Sequence, residues 1–285
     1  MCTTCGCSAN EITIEEAPAQ GHRAHVHAHD GHDHHHDHHH HHHHHHDPHS
    51  QGRIVPLEQD VLAKNQLFAQ RNRGWFEGRG VLAVNLMSSP GAGKTTILER
   101  TIREWPGSAA ISVLEGDQAT SADANRIRAA GASAVQINTG TGCHLDAHMV
   151  AHGVQRLKPL PDSVLMIENV GNLVCPALFD LGERARVVVL SVSEGDDKPL
   201  KYPHMFRVAD LLLVNKIDLL PYVQFDLERF RRLAREINPR AGIIALSAQT
   251  GEGMQDWYRW LSSQRVGDGE RRDGAATSEG DARTP

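Results

Sequence analysis

The sequence predicts an α/β fold in which a mostly parallel β-sheet is flanked by helices. Seven short apolar segments rich in Val, Ile, Leu and Ala have the composition of strands buried on both faces. Segments of helical periodicity separate most of them, which favours parallel strands joined by crossover helices. The predicted strands are 81–87, 109–114, 132–137, 164–167, 186–192, 211–214 and 243–246. The predicted helices are 56–73, one that begins near Lys94 and ends before Trp105, 120–130, 143–157, 225–237 and 254–261.

Composition divides the 285 residues into four parts. We expect residues 1–50 to form a disordered tail rich in Cys and His, because such a segment cannot bury an apolar core. Residues 51–78 are expected to form a helix and a glycine-containing linker, residues 79–265 the α/β domain, and residues 266–285 a second disordered tail.

Charge and hydropathy exclude some functional classes. The formal net charge of −6 argues against a general nucleic-acid-binding protein. No run of 18 apolar residues is present, so we expect no membrane span. The N-terminus has no apolar segment of the kind that secretory signals contain, so we expect a cytoplasmic protein. In such a protein we expect the five cysteines to be metal ligands and not to form disulfides.

The segment after the first predicted strand has the pattern of a phosphate-binding loop. Gly91 and Gly93 allow backbone N–H groups to surround phosphate oxygens, and the following helix directs its positive end at the same anion. Lys94 supplies a charge for the β- and γ-phosphates, and the Thr95 hydroxyl can ligate Mg²⁺. Ser88 stands where the usual G-x-x-x-x-G-K-[ST] pattern has Gly. The expected phosphate contacts are Gly91, Ala92, Gly93, Lys94, Thr95 and Thr96.

A second pattern indicates guanine as the base. Asn215-Lys216-Ile217-Asp218 fits the N-K-x-D element of GTPases, and Asp218 can accept from both N1–H and the 2-amino group of guanine, which adenine lacks. Alone, such a tetrapeptide fits a surface turn equally well. The preceding phosphate loop and the following Ser247-Ala248 favour GTP, since that dipeptide resembles a loop whose backbone N–H groups reach the guanine oxygen. The expected base contacts are Asn215, Lys216, Asp218, Ser247 and Ala248.

Acidic groups at strand ends are candidates for the Mg²⁺ site. Asp117 and Glu168 can each ligate Mg²⁺ directly or through water, and the alternative for either is a carboxylate that caps a strand–helix junction. Glu168-x-x-Gly171 resembles the D-x-x-G switch, with the Gly171 N–H available to the γ-phosphate. No general base is evident, so we expect hydrolysis to depend on Lys94, Thr95, Asp117 and Glu168 and to be slow.

The N-terminal region carries two candidate metal sites. Cys2, Cys5 and Cys7 offer three thiolates, and the amine of Cys2 would be a fourth ligand after removal of Met1, a set that suits square-planar Ni²⁺ or tetrahedral Zn²⁺. Eighteen of the 22 histidines lie between His22 and His49, interleaved with Asp, as expected for a metal reservoir. Reduced thiols without a role and a purification tag are the respective alternatives.

A further candidate metal site lies inside the α/β domain. Cys143-His144 follows a glycine-rich loop, and Cys175 lies seven residues after Glu168. His144, His148 and His152 have i, i+4, i+8 spacing, which places them on one face of the predicted helix 143–157. We expect Cys143, His144 and Cys175 to bind metal, while His148 and His152 fit a polar helix face almost as well.

Several motifs together resemble the hydrogenase nickel-incorporation GTPases, the HypB family. They are Cys2-x-x-Cys5-Gly6-Cys7, the histidine tract, Ser89 to Thr96, Asn138-Thr139-Gly140-Thr141-Gly142-Cys143-His144 and Glu168 to Pro176. The resemblance covers residues 1–7 and about 55–262. It implies a Mg²⁺-dependent GTPase of the SIMIBI class, which also contains signal-recognition and urease accessory GTPases. Ser88 agrees with this family.

The resemblance also implies a function and partners. The chain would be a metallochaperone that binds Ni²⁺ and Zn²⁺ and assists GTP-dependent nickel insertion into [NiFe]-hydrogenase. GTP would promote a homodimer with Cys143, His144 and Cys175 at the interface. The partners would be a small zinc- and nickel-binding accessory protein and the precursor of the hydrogenase large subunit. The alternatives are a urease accessory GTPase, whose Cys-Pro-His motif is here Cys175-Pro176-Ala177, and a metal-storage protein.

Overall fold

The computed structural model describes residues 51–117, 122–140 and 142–276, with side chains described between residues 60 and 265 of these ranges. The predictions for Cys2, Cys5, Cys7 and the histidine tract lie outside the described residues.

The described ranges form seven strands and eight α-helices. The strands are β1 Leu82–Ser88, β2 Ile111–Asp117, β3 Ser133–Asn138, β4 Val164–Gly171, β5 Ala185–Ser191, β6 Leu211–Asn215 and β7 Gly242–Ala245. The helices are α1 Gln51–Gly78, α2 Lys94–Glu104, α3 Ala122–Ala130, α4 Ala147–Leu157, α5 Lys198–Lys201, α6 Pro203–Val208, α7 Leu227–Ile237 and α8 Met254–Ala276. None of these helices is both long and apolar enough to cross a membrane.

The strands form one sheet in the order β3-β2-β4-β1-β5-β6-β7, and every pairing is parallel. All seven predicted strands are present, with ends that shift by a few residues, so the α/β prediction is confirmed. Because β1 lies between β4 and β5, the loops that follow these three strands meet at one edge of the sheet. This edge carries the candidate site.

Apolar side chains cover both faces of the sheet. Helices α2, α3 and α8 cover one face through Ile97, Ile127 and Trp257, all buried in one cluster. On the other face, α1 and α4 pack through Phe76 and Val150, and α6 and α7 complete that layer. The near-continuous apolar strands of the sequence follow from this two-sided burial.

Helix α1 is held on the domain by polar groups as well as by apolar packing. Asn65 accepts a hydrogen bond from Ala147 N–H at 2.8 Å and donates to the Asp180 carbonyl at 2.7 Å. Asn72 donates to the carbonyls of Ala147 and Leu181, and Arg73 Nη2 donates to both carboxylate oxygens of Asp180, at 2.8 and 2.9 Å. These contacts hold helix α1 against the loops that contain Ala147 and Asp180.

Some predicted boundaries differ from the structure. Helix α1 continues through residues 74–78, which were expected to form a linker. Each glycine inside a helix destabilises it by only about 1 kcal/mol relative to alanine, so Gly74 and Gly78 do not end it. A Cβ atom at either position would contact no other atom. Helix α8 continues to Ala276, into the segment expected to be a disordered tail, since extending an existing helix adds one hydrogen bond per residue. Helices α5 and α6 were not predicted.

Candidate functional site

The loop between β1 and α2 has the conformation that the phosphate-binding pattern requires. Gly93 adopts φ 100°, and a Cβ atom there would lie 2.4 Å from the Asn215 side-chain nitrogen, so only glycine fits. Lys94 is buried and its amino group donates to the Ser88 hydroxyl at 2.6 Å. Ser88, at the first position of the motif, therefore holds the lysine along the loop. Burial lowers the pKa of Lys94, an effect that nearby Glu168 opposes.

A contact from outside the motif also supports this loop. Ser89 donates to the carboxylate of Glu194, which lies just after β5 and also accepts from the backbone N–H of Ser191 at 3.1 Å. Lys198 lies 3.4 Å from the same carboxylate. The sequence prediction missed Glu194, because no nucleotide motif includes it and only its place after a predicted strand pointed to the site.

Two buried glutamates lie side by side beneath the phosphate loop. Glu115 of β2 is the register partner of Glu168 of β4, and the two side chains are 2% and 5% exposed. Glu168 accepts a hydrogen bond from the Thr95 hydroxyl at 2.8 Å. One oxygen of each carboxyl group is buried without a hydrogen-bond partner in the described part of the chain.

Burial is the main cause of raised pKa values at this pair. It raises the pKa of Glu115 to about 8, helped by the carboxylates of Glu168, Asp123 and Asp117. It raises the pKa of Glu168 to about 7, an effect that Lys94 and the Thr95 hydrogen bond partly oppose. Two carboxyl groups of this kind are costly to ionise unless a cation lies between them.

The donor set fits Mg²⁺. Mg²⁺ takes oxygen ligands, often one or two carboxylates together with substrate phosphates and water. Thr95, Glu168 and Glu115 would hold it, the last two through the oxygens that have no protein partner. Thr95, Glu168 and Asp117 were predicted from the sequence, but Glu115 was not. Its signal was an acidic residue directly after the predicted apolar strand 109–114.

The remaining phosphate-loop predictions fall at the same edge. Asp117 is the last residue of β2 and, by the alternation of a strand, shares a face with Glu115. Gly171 lies against the phosphate loop, where a Cβ atom would be 3.0 Å from Pro90 Cα, so a side chain there would displace the loop. Thr96 accepts a hydrogen bond from Arg126 at 3.4 Å, which links the first turn of α2 to α3.

The predicted base-binding residues also meet at this edge. Asn215 donates to the Ala92 carbonyl at 2.9 Å and accepts from Ala248 N–H at 3.1 Å, so it joins the phosphate loop to the loop after β7. Lys216 donates to the Gly91 carbonyl at 2.7 Å. The Ser247 hydroxyl donates to Asp218 at 2.5 Å and orients its carboxylate.

One detail of the base-loop prediction differs from the structure. The backbone N–H groups of Ser247 and Ala248 were expected to face the guanine oxygen. Ser247 N–H donates to the Glu252 carbonyl at 2.9 Å, and Ala248 N–H donates to Asn215. The contribution of this loop in the structure is therefore to orient Asp218 and Asn215.

We expect Asp218→Asn to weaken GTP binding by roughly 1.5–3 kcal/mol, about 10–150-fold, because a charged acceptor for two guanine donors is lost. Affinity for a xanthine nucleotide should rise, since the new amide can donate to its extra carbonyl. Calorimetric titration with each nucleotide measures both effects. Asp60→Asn, on the exposed surface of α1, is the matched control, and unchanged GTP affinity in Asp218→Asn would remove this residue from the base site.

Three side chains of types that can bind a metal ion lie close together near the end of β4. One ligand atom from each of Cys143, His144 and Cys175 lies within 4.8 Å of the others. Cys143 Sγ is 3.6 Å from His144 Nδ1, and the His144 ring packs on Phe179 with centroids 4.0 Å apart. Burial lowers the pKa of His144, which favours the neutral imidazole that binds metal. The arrangement supplies two thiolates and one imidazole, a set suited to Zn²⁺ or Ni²⁺.

The predicted helix 143–157 begins later than expected, which divides its histidines. Helix α4 starts at Ala147, because Asp146 caps it by accepting from Met149 N–H at 2.7 Å. His144 therefore lies in the preceding loop with the two thiols. His148 and His152 remain on the helix, with their Nε2 atoms 3.0 Å apart, and are not members of the three-ligand cluster. The prediction of one helix face for all three histidines is wrong.

Strand β4 connects the two candidate sites. Glu168 and Asn169 are consecutive, so their side chains point to opposite faces of the sheet. Glu168 contacts Thr95 of the phosphate-loop helix, whereas Asn169 accepts from the N–H of Leu145, one residue after His144. Asn172, further along, donates to the Cys143 carbonyl at 3.4 Å. One strand thus contacts both loops.

Comparison with known proteins identifies the family. Residues 82–245 match the family described as CobW/HypB/UreG, nucleotide-binding domain. The hydrogenase maturation factor HypB of Rhizobium leguminosarum bv. viciae is 58% identical over 212 residues, which cover 74% of this chain and 71% of the relative. The chain belongs to the HypB family. HypB of Azotobacter vinelandii is 48% identical over 283 residues, covering 93% of each chain.

Solved HypB structures have the same fold. Crystal structures of HypB from Archaeoglobus fulgidus and from Helicobacter pylori in complex with nickel match with TM-scores of 0.67 and 0.69 and identities of 44% and 38%. They cover 71% and 72% of this chain, and the match spans 99% and 96% of those chains. The similarity therefore extends over nearly the whole of both HypB structures.

Proposed function

We propose that this chain is a GTP-hydrolysing nickel metallochaperone that assists nickel insertion into [NiFe]-hydrogenase during maturation. The proposal rests on the contacts of strand β4. Its residue Glu168 contacts the helix that follows the phosphate loop, and the next residue, Asn169, contacts the loop of Cys143 and His144. Such an arrangement suits a protein in which a nucleotide controls a metal site. The relatives' name, hydrogenase maturation factor, and the Helicobacter pylori HypB structure in complex with nickel support nickel as the metal that is delivered.

The residues of the phosphate loop bind and orient GTP. The N-terminus of α2 and the Lys94 ammonium neutralise the β- and γ-phosphates, and the buried floor of the site excludes water from the leaving group. Asp218 selects guanine. Bound Mg²⁺ would supply charge neutralisation at the phosphate oxygens, held by Thr95, Glu168 and Glu115. Since none of these residues is placed as a general base, hydrolysis by the isolated chain is slow.

The cluster of Cys143, His144 and Cys175, here called the cargo site because it would bind the nickel to be delivered, is proposed to lie at a GTP-promoted homodimer interface. Cys143, His144 and Cys175 leave at least one coordination position open for a ligand from a second copy or for a partner to take the ion. Val174 and Leu178, on either side of the Cys175 turn, are 55% and 56% exposed, which is the apolar surface that an interface there would cover. The proposed partners are a metal-binding accessory protein and the hydrogenase large-subunit precursor.

We expect the nucleotide to change metal affinity at this site. A γ-phosphate that reorders Glu168 and Gly171 must move Cys175, four residues further on, relative to Cys143. Ni²⁺ affinity of residues 51–285 should therefore differ by roughly 5–150-fold between the GDP state and a non-hydrolysable GTP analogue, and Ni²⁺ should change nucleotide preference by the same factor. Metal-competition titrations at fixed pH measure the difference.

Two comparisons make this test specific. Cys175→Ala should keep GTP affinity and lose most of the dependence of Ni²⁺ affinity on nucleotide. The additional Ni²⁺ bound by the full chain, through Cys2, Cys5, Cys7 and the histidine tract, should be the same in both nucleotide states. Equal Ni²⁺ affinity and equal dimerisation with GDP and the GTP analogue would contradict the proposal and favour a metal-storage protein.

A further inference from the structure

Two buried asparagines of helix α1, Asn65 and Asn72, each join the same two segments of the chain. Residues 143–147 include two of the three ligands of the cargo site, and residues 175–182 include the third. The asparagines therefore connect the two parts of the chain that must lie close together for the cargo site to bind a metal ion.

The hydrogen bonds of each asparagine span both segments. The Asn65 side chain accepts from Ala147 N–H at 2.8 Å and donates to the Asp180 carbonyl at 2.7 Å. The Asn72 amide donates to the Ala147 carbonyl at 2.8 Å and to the Leu181 carbonyl at 2.9 Å. Helix α1 thus binds the N–H and the carbonyl of one residue in the first segment, and two consecutive carbonyls in the second.

The second segment is in close contact with α1 and with the metal ligand His144. Phe179, one residue before Asp180, packs on the His144 ring with centroids 4.0 Å apart. Gly182 adopts φ 87°, and a Cβ atom there would lie 2.5 Å from the Ala69 carbonyl oxygen of α1. The second segment therefore cannot move closer to α1, and the two asparagines prevent it from moving away.

The carboxamide group suits this role. It has one acceptor and two N–H donors in a plane, so one side chain can bind backbone groups of two segments. Neither Asn65 nor Asn72 is a candidate ligand, since the three-ligand cluster in the described part of the chain contains only Cys and His. Removal of groups that orient metal ligands typically costs about 10–100-fold in metal affinity.

We propose that Asn65 and Asn72 are positioning residues of the cargo site, which hold its two ligand-bearing segments at the separation that metal binding requires. The inference rests on the proposed function, since it takes the cargo site to be the place where the metal binds. Helix α1 covers the face of the sheet opposite to α2, the helix that follows the phosphate loop. Loss of the asparagines should therefore lower metal affinity and leave nucleotide affinity unchanged.

Residue-resolved alkylation of the full chain tests the proposal. Iodoacetamide modifies free thiolates, and peptide mass spectrometry reports Cys143 and Cys175 separately from the three N-terminal cysteines. A metal buffer fixes free Ni²⁺ whatever the histidine tract binds, and saturating GDP keeps one nucleotide state. In the double variant Asn65→Ala, Asn72→Ala, half-protection of Cys143 and Cys175 should require about 10–100-fold higher free Ni²⁺ than in the parent. GDP affinity and protection of the N-terminal cysteines should not change.

Single variants and a control separate positioning from general stability. Asn65→Ala and Asn72→Ala each keep one bridge, so each should fold and show a smaller shift than the double variant. Thr101→Val removes the acceptor of the buried Trp257 N–H, on the other face of the sheet. It should destabilise the domain and leave protection of Cys143 and Cys175 as in the parent.

The possible contrary results are distinguishable. Half-protection at the parental Ni²⁺ concentration in all the asparagine variants would overturn the inference and leave the cargo site as proposed. A shift in Thr101→Val as large as that in the asparagine variants would assign the effect to stability, which also overturns the inference. Absence of Ni²⁺ protection of Cys143 and Cys175 in the parent would overturn the cargo site, and the inference with it.

Discussion

Lys94→Ala should reduce GTP turnover by about 10²–10³-fold or more while leaving the fold intact. In the proposed function the Lys94 ammonium group neutralises the β- and γ-phosphates, and loss of one such stabilising group typically costs this much. The fold should tolerate the change because the only described hydrogen-bond partner of this amino group is the Ser88 hydroxyl. The substitution also removes a cation whose burial is unfavourable. Phosphate release under saturating GTP, together with a thermal unfolding curve, measures both effects.

The contrast between hydrolysis and stability makes the Lys94 prediction specific. Lys64→Ala, on the exposed surface of α1, removes the same side chain away from the site and should leave turnover unchanged. GTP should raise the melting temperature of the parent and raise that of Lys94→Ala much less, because stabilisation by a ligand decreases as its Kd increases. Parental turnover by Lys94→Ala, or hydrogenase maturation at the parental level, would contradict the proposed role of the nucleotide.

The sequence was sufficient to predict the seven strands and their parallel arrangement. Strands such as 211–214 are continuously apolar because both faces are covered, and this pattern distinguishes them from the charged helices between them. The start of α4 was predicted less well, because periodicity extends back through His144 and Cys143. A local hydrogen bond, from Met149 N–H to Asp146, begins the helix at Ala147 instead.

The residues of the candidate site that could be predicted from the sequence are those that belong to a short sequence motif. Lys94, Asp218 and Cys143 each lie in a short pattern with a chemical meaning. Glu115 and Glu194 do not, since their roles depend on which strands are neighbours. The strand order β2-β4-β1-β5 brings both residues to the phosphate loop, and that order is a property of the whole chain.

Glu115 should make the stability of the metal-free protein depend on pH. In the unfolded chain a glutamate ionises near its ordinary pKa of 4.5, whereas burial and neighbouring carboxylates raise the pKa of Glu115 to about 8 in the folded protein. Between these values the folded state binds more protons than the unfolded state. Its free energy of unfolding therefore falls as pH rises from about 4.5, and the full cost is present above about pH 8.

Glu115→Gln isolates this effect because glutamine cannot ionise and keeps an oxygen that can accept from the N–H of Ala124. Without Mg²⁺ or nucleotide, the variant and the parent should be equally stable near pH 4.5. At pH 8.5 the variant should be more stable by roughly 2–5 kcal/mol, the order of magnitude of the pKa shift. Urea unfolding in EDTA across this pH range measures the difference.

Glu236→Gln makes the same charge change on the exposed surface of α7 and should not alter the pH dependence. Adding Mg²⁺ with GDP should stabilise the parent more than Glu115→Gln, since a cation between Glu115 and Glu168 offsets the cost of their burial only when both are ionised. Parallel stability profiles for parent and variant, with equal stabilisation by Mg²⁺ and GDP, would show that Glu115 neither titrates in this range nor contributes to the metal site.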